Sequence, residues 1–142
     1  MRNKLARLIG LVGLLVLFGS APSYAGDAGG VEAHALVQRQ LDAFEHGDAE
    51  GAYALAAPGL RESYVDSRNF MEMVRVKYAP LIHRRATEFG IFAIDGDTAA
   101  QNLVLVDDDG GVWSVIYALT RQPDGSWLVG GVLLMQSDAT DA

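Results

Sequence analysis

The chain has 142 residues, a formal net charge of −7 and no cysteine; half of its residues are hydrophobic and a fifth are charged. The acidic balance argues against nucleic acid and anionic membrane surfaces as partners, since both attract basic patches. The lack of cysteine excludes disulfides and a thiol nucleophile, so a domain of this size must hold together through its core.

Arg2, Lys4 and Arg7 precede an apolar run from Leu8 to Gly19, and the following segment ends in Ser23-Tyr24-Ala25. A basic start, a short apolar core and small residues two apart form a secretory signal peptide over residues 1–25. Cleavage is expected after Ala25, with a periplasmic or secreted destination. The rival is an uncleaved anchor, the one route by which this chain would meet a membrane. The run is shorter than the roughly 18 to 20 residues that span a bilayer, and Gly10 and Gly13 interrupt it. No cysteine follows the apolar core, so it is not a lipoprotein signal, and the lack of twin arginines points to the general export route. Cleavage would take the net charge to −10, because three basic residues leave and the first acidic residue is Asp27.

Residues 26–30 read as a small-residue linker to a single domain over residues 31–136, with a frayed acidic tail over residues 137–142. Ala33, Val37, Leu41 and Phe44 recur at helical spacing, and Gly47 is placed to cap that helix in the left-handed conformation. Asp48 is a natural N-cap for a second helix over Ala49 to Ala57, which Pro58-Gly59 is expected to end. Leu60 to Val65 is irregular. Asp66 or Ser67 caps a third helix bearing Phe70, Met73 and Val74, and Pro80 is expected to break it.

From Arg84 onward the chain is β-rich. Thr87 to Ile94, Ala99 to Val106, Val112 to Arg121 and Trp127 to Met135 read as strands, separated by Asp95-Gly96, by Asp107 to Gly111 and by Pro123-Asp124-Gly125. Turns this short leave no room for parallel crossovers, so the strands form an antiparallel meander. The fold expected is α+β: three helices packed on one face of a curved four-stranded sheet. Alternation places Gln101, Leu103, Leu105 and Asp107 on one face of the second strand, Trp113, Val115, Tyr117 and Leu119 on one face of the third, and Trp127, Val129, Gly131 and Leu133 on one face of the fourth.

Taken together, Gln40-Leu41-Asp42-Ala43-Phe44, Gly47-Asp48, Ala52-Tyr53, Phe70 with Met73-Val74, Tyr78-Ala79-Pro80, Gln101, Gly111-Val112-Trp113, Tyr117 and Asp124-Gly125-Ser126-Trp127 resemble the bacterial domain-of-unknown-function family 4864. That family is grouped with cone-shaped domains similar to nuclear transport factor 2, also called cystatin-like. The resemblance spans most of Val31 to Met135 and implies a curved sheet wrapped around helices, with a cavity open at one end. Many members carry a cysteine in the last strand, where this chain has Gly130-Gly131-Val132, so no thiol-based role transfers. The superfamily includes isomerases, dehydratases, cyclases and accessory domains, and fold does not choose among them.

The expected cavity wall is Gln101, Leu103, Trp113, Tyr117, Trp127 and Gly131, with His83 and Arg84 placed to meet an anion at the rim. Gln101 is read first as a structural amide bridging elements, because a buried amide must find partners. Gly130-Gly131 is read as a bend or bulge. No cofactor is implied. Metal is not expected: His34, His46 and His83 lack ligand spacing, and the Asp107 loop has Ala118 where an EF-hand needs its twelfth-position Glu. There is no GxSxG elbow and no phosphate loop. The leading reading is therefore non-catalytic, a binding or accessory module for a small apolar ligand or a protein partner. The alternative is an isomerase- or lyase-like enzyme using Tyr117 with Asp107 or His83. A third reading is a homodimer formed through the sheet.

Overall fold

The computed structural model describes residues 29–137; the predicted signal segment over residues 1–25 and residues 138–142 of the predicted tail lie outside them. Among the described residues helix α1 covers 29–45, and it is followed by α2 (Ala49–Ala54), α3 (Pro58–Arg61), α4 (Ser67–Lys77) and α5 (Ala79–Ile82). Strands β1 (Arg84–Asp95), β2 (Thr98–Asp107), β3 (Val112–Arg121) and β4 (Trp127–Gln136) form an open antiparallel sheet in the order β1-β2-β3-β4. Among the described residues, no helix is long and apolar enough to cross a membrane.

The helical half differs from the sequence reading in three places. Gly29 and Gly30, expected in the linker, are already helical, and a side chain at either position would meet the ring of Phe92 within 3.3 to 3.6 Å. Their missing side chains let this part of α1 lie on β1. The second helix ends at Ala54 instead of Ala57, because the chain extends to pair with β4: Ala57 N–H donates to Val129 O at 2.7 Å and Val129 N–H to Leu55 O at 2.8 Å. Finally, Pro58 and Pro80 each stand at the start of a short helix, α3 and α5. Proline lacks only an N–H that a first turn leaves unpaired anyway, so it begins a helix as readily as it ends one. Three expected helices thus become five helical segments.

The caps match the sequence. Gly47, at φ 69°, closes α1 with Gly47 N–H on Phe44 O and Asp48 N–H on Ala43 O, the paired bonds of a Schellman ending. Asp48 then accepts from Gly51 N–H and Asp66 from Asn69 N–H, so each caps the helix that follows it.

The helix α1 runs antiparallel to β1. Gly29 and Gly30 lie at Phe92, the His34 ring stacks on Phe89 at 3.6 Å, and Leu41 near the helix end meets Arg84. The core lies between the helices and the inner sheet face. Leu36, Val37, Leu41, Phe44, Phe70 and Val74 meet Leu103, Leu105, Val115, Tyr117, Leu119 and Val129 there.

Alternation holds through β2 and β3, where Gln101, Leu103, Leu105, Val115, Tyr117 and Leu119 all face inward. It fails in β4. Ala118 pairs with Gly131 and Leu119 with Val129, so Gly130 is an extra residue in a bulge. Val132 opposite Tyr117 and Leu134 opposite Val115 therefore turn inward, whereas Leu133, expected on the inner face, is 53% exposed on the outer one. A second irregularity lies in β1, where Phe89 pairs with Leu103 but Phe92 with Gln101. Residues Gly90 and Ile91 thus oppose Asn102 alone.

Candidate functional site

The described residues enclose a cavity of about 180 Å³ between the helices and the bulged part of β4. Its buried wall is Gln40, Phe44, Phe70, Val74, Leu81 and Val129. Leu60, Tyr64, Met73, Tyr78, Gly131 and Val132 are half-buried and form the side that meets solvent. The bulge at Gly130 makes this wall, because it brings Val132 to the inner face. No Asp, Glu, His, Lys, Arg, Ser or Thr lines it. Phe70 gathers the aromatic side: Tyr53, Tyr64 and Phe44 have ring centroids 5.5, 5.4 and 6.4 Å from it.

Two polar wall residues are committed by hydrogen bonds. Tyr78 Oη donates to Val132 O at 3.1 Å, tying α4 to β4 across the cavity edge. Gln40, 1% exposed, donates from Nε2 to Ala52 O at 3.2 Å, while its Oε1 has no partner among the described residues.

Of the residues expected to line a cavity, Gly131 lines this one. The others are placed elsewhere in the sheet. Gln101 Nε2 donates to Gly90 O at 3.1 Å and Asn102 O at 2.9 Å, filling the irregularity in β1. Trp127 is buried beneath the Arg121 guanidinium, 4.4 Å from the ring centroid, and Leu103 is a core residue. Trp113 Nε1 donates to Asp107 Oδ2 at 2.8 Å.

Tyr117 and Asp107 share no hydrogen bond. Asp107 accepts from Trp113 Nε1 and from the backbone N–H groups of Gly111 and Asp109, so its carboxylate organises the β2–β3 turn. The indole bond first, and the Gly111 N–H next, hold its carboxyl below the ordinary range. Such a group is a poor proton acceptor at neutral pH. Tyr117 Oη is fully buried with no partner among the described residues, and burial pushes its phenol well above the ordinary range, slightly opposed by the Arg84 charge.

Residues 28–142 match the family described as Domain of unknown function (DUF4864). The chain belongs to that family. No curated protein matches it. Solved structures place the DUF4864 domain in the NTF2-like fold. It is similar to an NTF2-like protein of unknown function from Silicibacter pomeroyi DSS-3, at 15% identity and TM-score 0.53 over 75% of this chain and 94% of that one. It is also similar to a chain from Catenulispora acidiphila in complex with S-DNPA, at 18% identity and TM-score 0.53 over 81% and 98%. A third likeness is to Aln2 from a Streptomyces species, at 15% identity and TM-score 0.51 over 78% and 92%.

At the sheet entrance of this DUF4864 domain, Arg84 is placed as a tie between elements. Nη1 donates to Leu41 O at 3.1 Å and Leu81 O at 3.0 Å, while Nη2 reaches Asp42 and Glu45 at 3.4 and 3.3 Å. Its side chain is 8% exposed, so the charge expected to meet an anion is neutralised at the end of α1. His83 is exposed beside Asp107, Asp108 and Asp109, a surrounding that repels anions. Among the described residues, no group of three metal-ligating side chains stands together.

The reading of the sequence missed the helical wall of the cavity, and above all Gln40. The signal was present: Gln40 lies four residues after Leu36, three after Val37 and four before Phe44, on the buried stripe of α1.

Proposed function

We propose that this protein is an exported, non-catalytic binding module whose cavity between α1, α4 and β4 takes one small, largely apolar molecule. The observation that carries the reading is the wall itself: apolar and aromatic, partly open, and free of carboxylate and imidazole groups. The volume supports a compact ligand. A protein cavity of roughly 150 Å³ accommodates benzene, so about 180 Å³ suits one ring or a short branched chain. Export rests on the basic, apolar and small-residue pattern of residues 1–25. At 18% identity, the likeness to the Catenulispora acidiphila chain extends to the fold and not to its ligand.

The test is native mass spectrometry of the protein purified from its own periplasm, followed by extraction under denaturing conditions. A stoichiometric small molecule that is absent from a Val132→Phe variant is the expected result. Protein that is empty from its native source, and unresponsive in thermal shift to small aromatic probes, overturns the reading.

A second reading has its own observation. Val104, Val112, Leu133 and Met135 are 39 to 53% exposed and stand together on the outer sheet face, where Val104, Ser114 and Met135 are in register. This supports a sheet-mediated homodimer, compatible with ligand binding on the opposite face. Light scattering that shows only monomer at high concentration removes it.

A further inference from the structure

We infer that Tyr64 sets the specificity of the cavity: its hydroxyl meets one neutral polar group on the ligand, so the guest enters apolar end first and keeps a hydroxyl, carbonyl or amide at the solvent side. This rests on the proposed cavity reading and gives its ligand a polarity and a direction.

The wall is asymmetric. On its buried side stand Phe44, Phe70, Val74, Leu81 and Val129, with Gln40 among them. No guest reaches the Gln40 amide: the residue is 1% exposed, its Nε2 is on Ala52 O and its Oε1 is fully buried. Both wall tyrosines stand on the half-buried side. Tyr78 has given its proton to Val132 O and can only accept. Tyr64 is different. Its hydroxyl, unlike those of Tyr53 and Tyr78, has no hydrogen bond to another described residue, and it is not among the fully buried unpaired groups. It is therefore open both to donate and to accept.

The Tyr64 residue is also held in place from two sides. Its ring stands edge-on to Phe70 at 5.4 Å and 73°, and its backbone N–H donates to Arg61 O at 3.0 Å, the same carbonyl that accepts from Tyr53 Oη at 3.0 Å. A guest thus meets a hydroxyl whose ring is already placed, which lowers the ordering cost of the contact.

These two ends select against other guests. A polar group at the buried end loses its water and finds no partner within reach. An ionised group meets no opposite charge on the wall. A hydrocarbon fills the space but displaces solvent from the Tyr64 hydroxyl and offers no bond in exchange. What remains is a compact neutral amphiphile.

The test titrates phenol and toluene, which differ by a hydroxyl in place of a methyl, by NMR against the purified exported protein and its Tyr64→Phe and Val132→Phe variants. The phenol-to-toluene affinity ratio is expected to be about two- to tenfold higher in the wild type than in Tyr64→Phe, the worth of one neutral hydrogen bond. Val132→Phe is expected to lose both probes. In the wild type, intermolecular nuclear Overhauser effects should join the para proton of phenol to the methyls of Val74 and Leu81, and its ortho protons to Tyr64. Equal ratios in the wild type and Tyr64→Phe, or phenol bound with its hydroxyl toward Leu81, overturn the Tyr64 contact and leave the cavity reading standing. Binding of neither probe by the wild type, or binding that survives Val132→Phe, overturns both. Should Tyr64→Phe fail to fold, the wild-type Overhauser effects decide without it.

Discussion

The indole N–H of Trp113 donates to Asp107 Oδ2 at 2.8 Å, while Oδ1 of the same carboxylate accepts from Gly111 N–H at 2.7 Å and Asp109 N–H at 3.0 Å. One side chain therefore ties the start of β3 to the end of β2. Because these bonds favour the charged form, the folded pKa lies below the ordinary 3.8. The stabilisation is complete above the ordinary value and is lost as pH falls through the folded one. Asp107→Asn is expected to lower the melting temperature at neutral pH, and its deficit relative to wild type should shrink below about pH 4. A deficit independent of pH from 7 to 2, followed by circular dichroism, would refute the clamp.

Arg84 predicts a different signature. Its guanidinium satisfies two backbone carbonyls and two carboxylates from a nearly buried position. Arg84→Ala should cost about 1.5 to 3 kcal/mol in denaturant unfolding, the range for hydrogen bonds from a charged donor. Lysine cannot reproduce the fork, so Arg84→Lys should recover less than half of that loss. Full rescue by lysine would mean that only the charge matters.

Gln101 tests whether a buried amide serves the sheet or a ligand. Both of its Nε2 bonds go to backbone carbonyls, one of them at the β1 irregularity. Gln101→Leu is expected to destabilise by about 1 to 3 kcal/mol by orphaning Gly90 O. Amide exchange should accelerate in β1 around Ile91, while cavity binding of aromatic probes stays unchanged. Lost binding in a stably folded variant would return Gln101 to the site.

How much of this was legible in the sequence follows from which interactions are local. The strands were legible because β2 and β3 alternate without interruption and their turns carry glycine at positive φ, as at Gly96, Gly110 and Gly125. The capping roles of Gly47, Asp48 and Asp66 were legible because each acts within four residues. The helices opened by Pro58 and Pro80 were not, since proline punctuates either end of a helix. The Gly130-Gly131 pair signalled a bulge without saying which residue was extra, and that residue decides whether Val132 or Leu133 faces inward. The cavity depends on this inversion and on helix packing, so its wall fell to Gln40, Phe70 and Val132 instead of Trp113 and Trp127. The indole of Trp113 read as an apolar wall, yet its one donor found Asp107.

Tyr117 supplies the remaining prediction. Its hydroxyl is buried without a partner among the described residues, so it contributes ring packing against Gln101 and Val132 in register while its polar atom is a liability. Tyr117→Phe keeps the ring and deletes the unpaired group. It should leave stability unchanged or raise it by up to about 1 to 3 kcal/mol, where loss of a working hydrogen bond would lower it. The alkaline limb separates the two further. Burial raises the folded pKa above the ordinary 10.0, so the wild type keeps full stability below that value and loses it as pH rises beyond it. The phenylalanine variant lacks this group, and its stability should fall less steeply above pH 10. Spectrophotometric titration should show one tyrosine fewer ionising last, together with unfolding. A Tyr117→Phe protein that is less stable at pH 7, with an unchanged alkaline limb, would show that the hydroxyl has a partner and that its burial is not the source of the raised pKa.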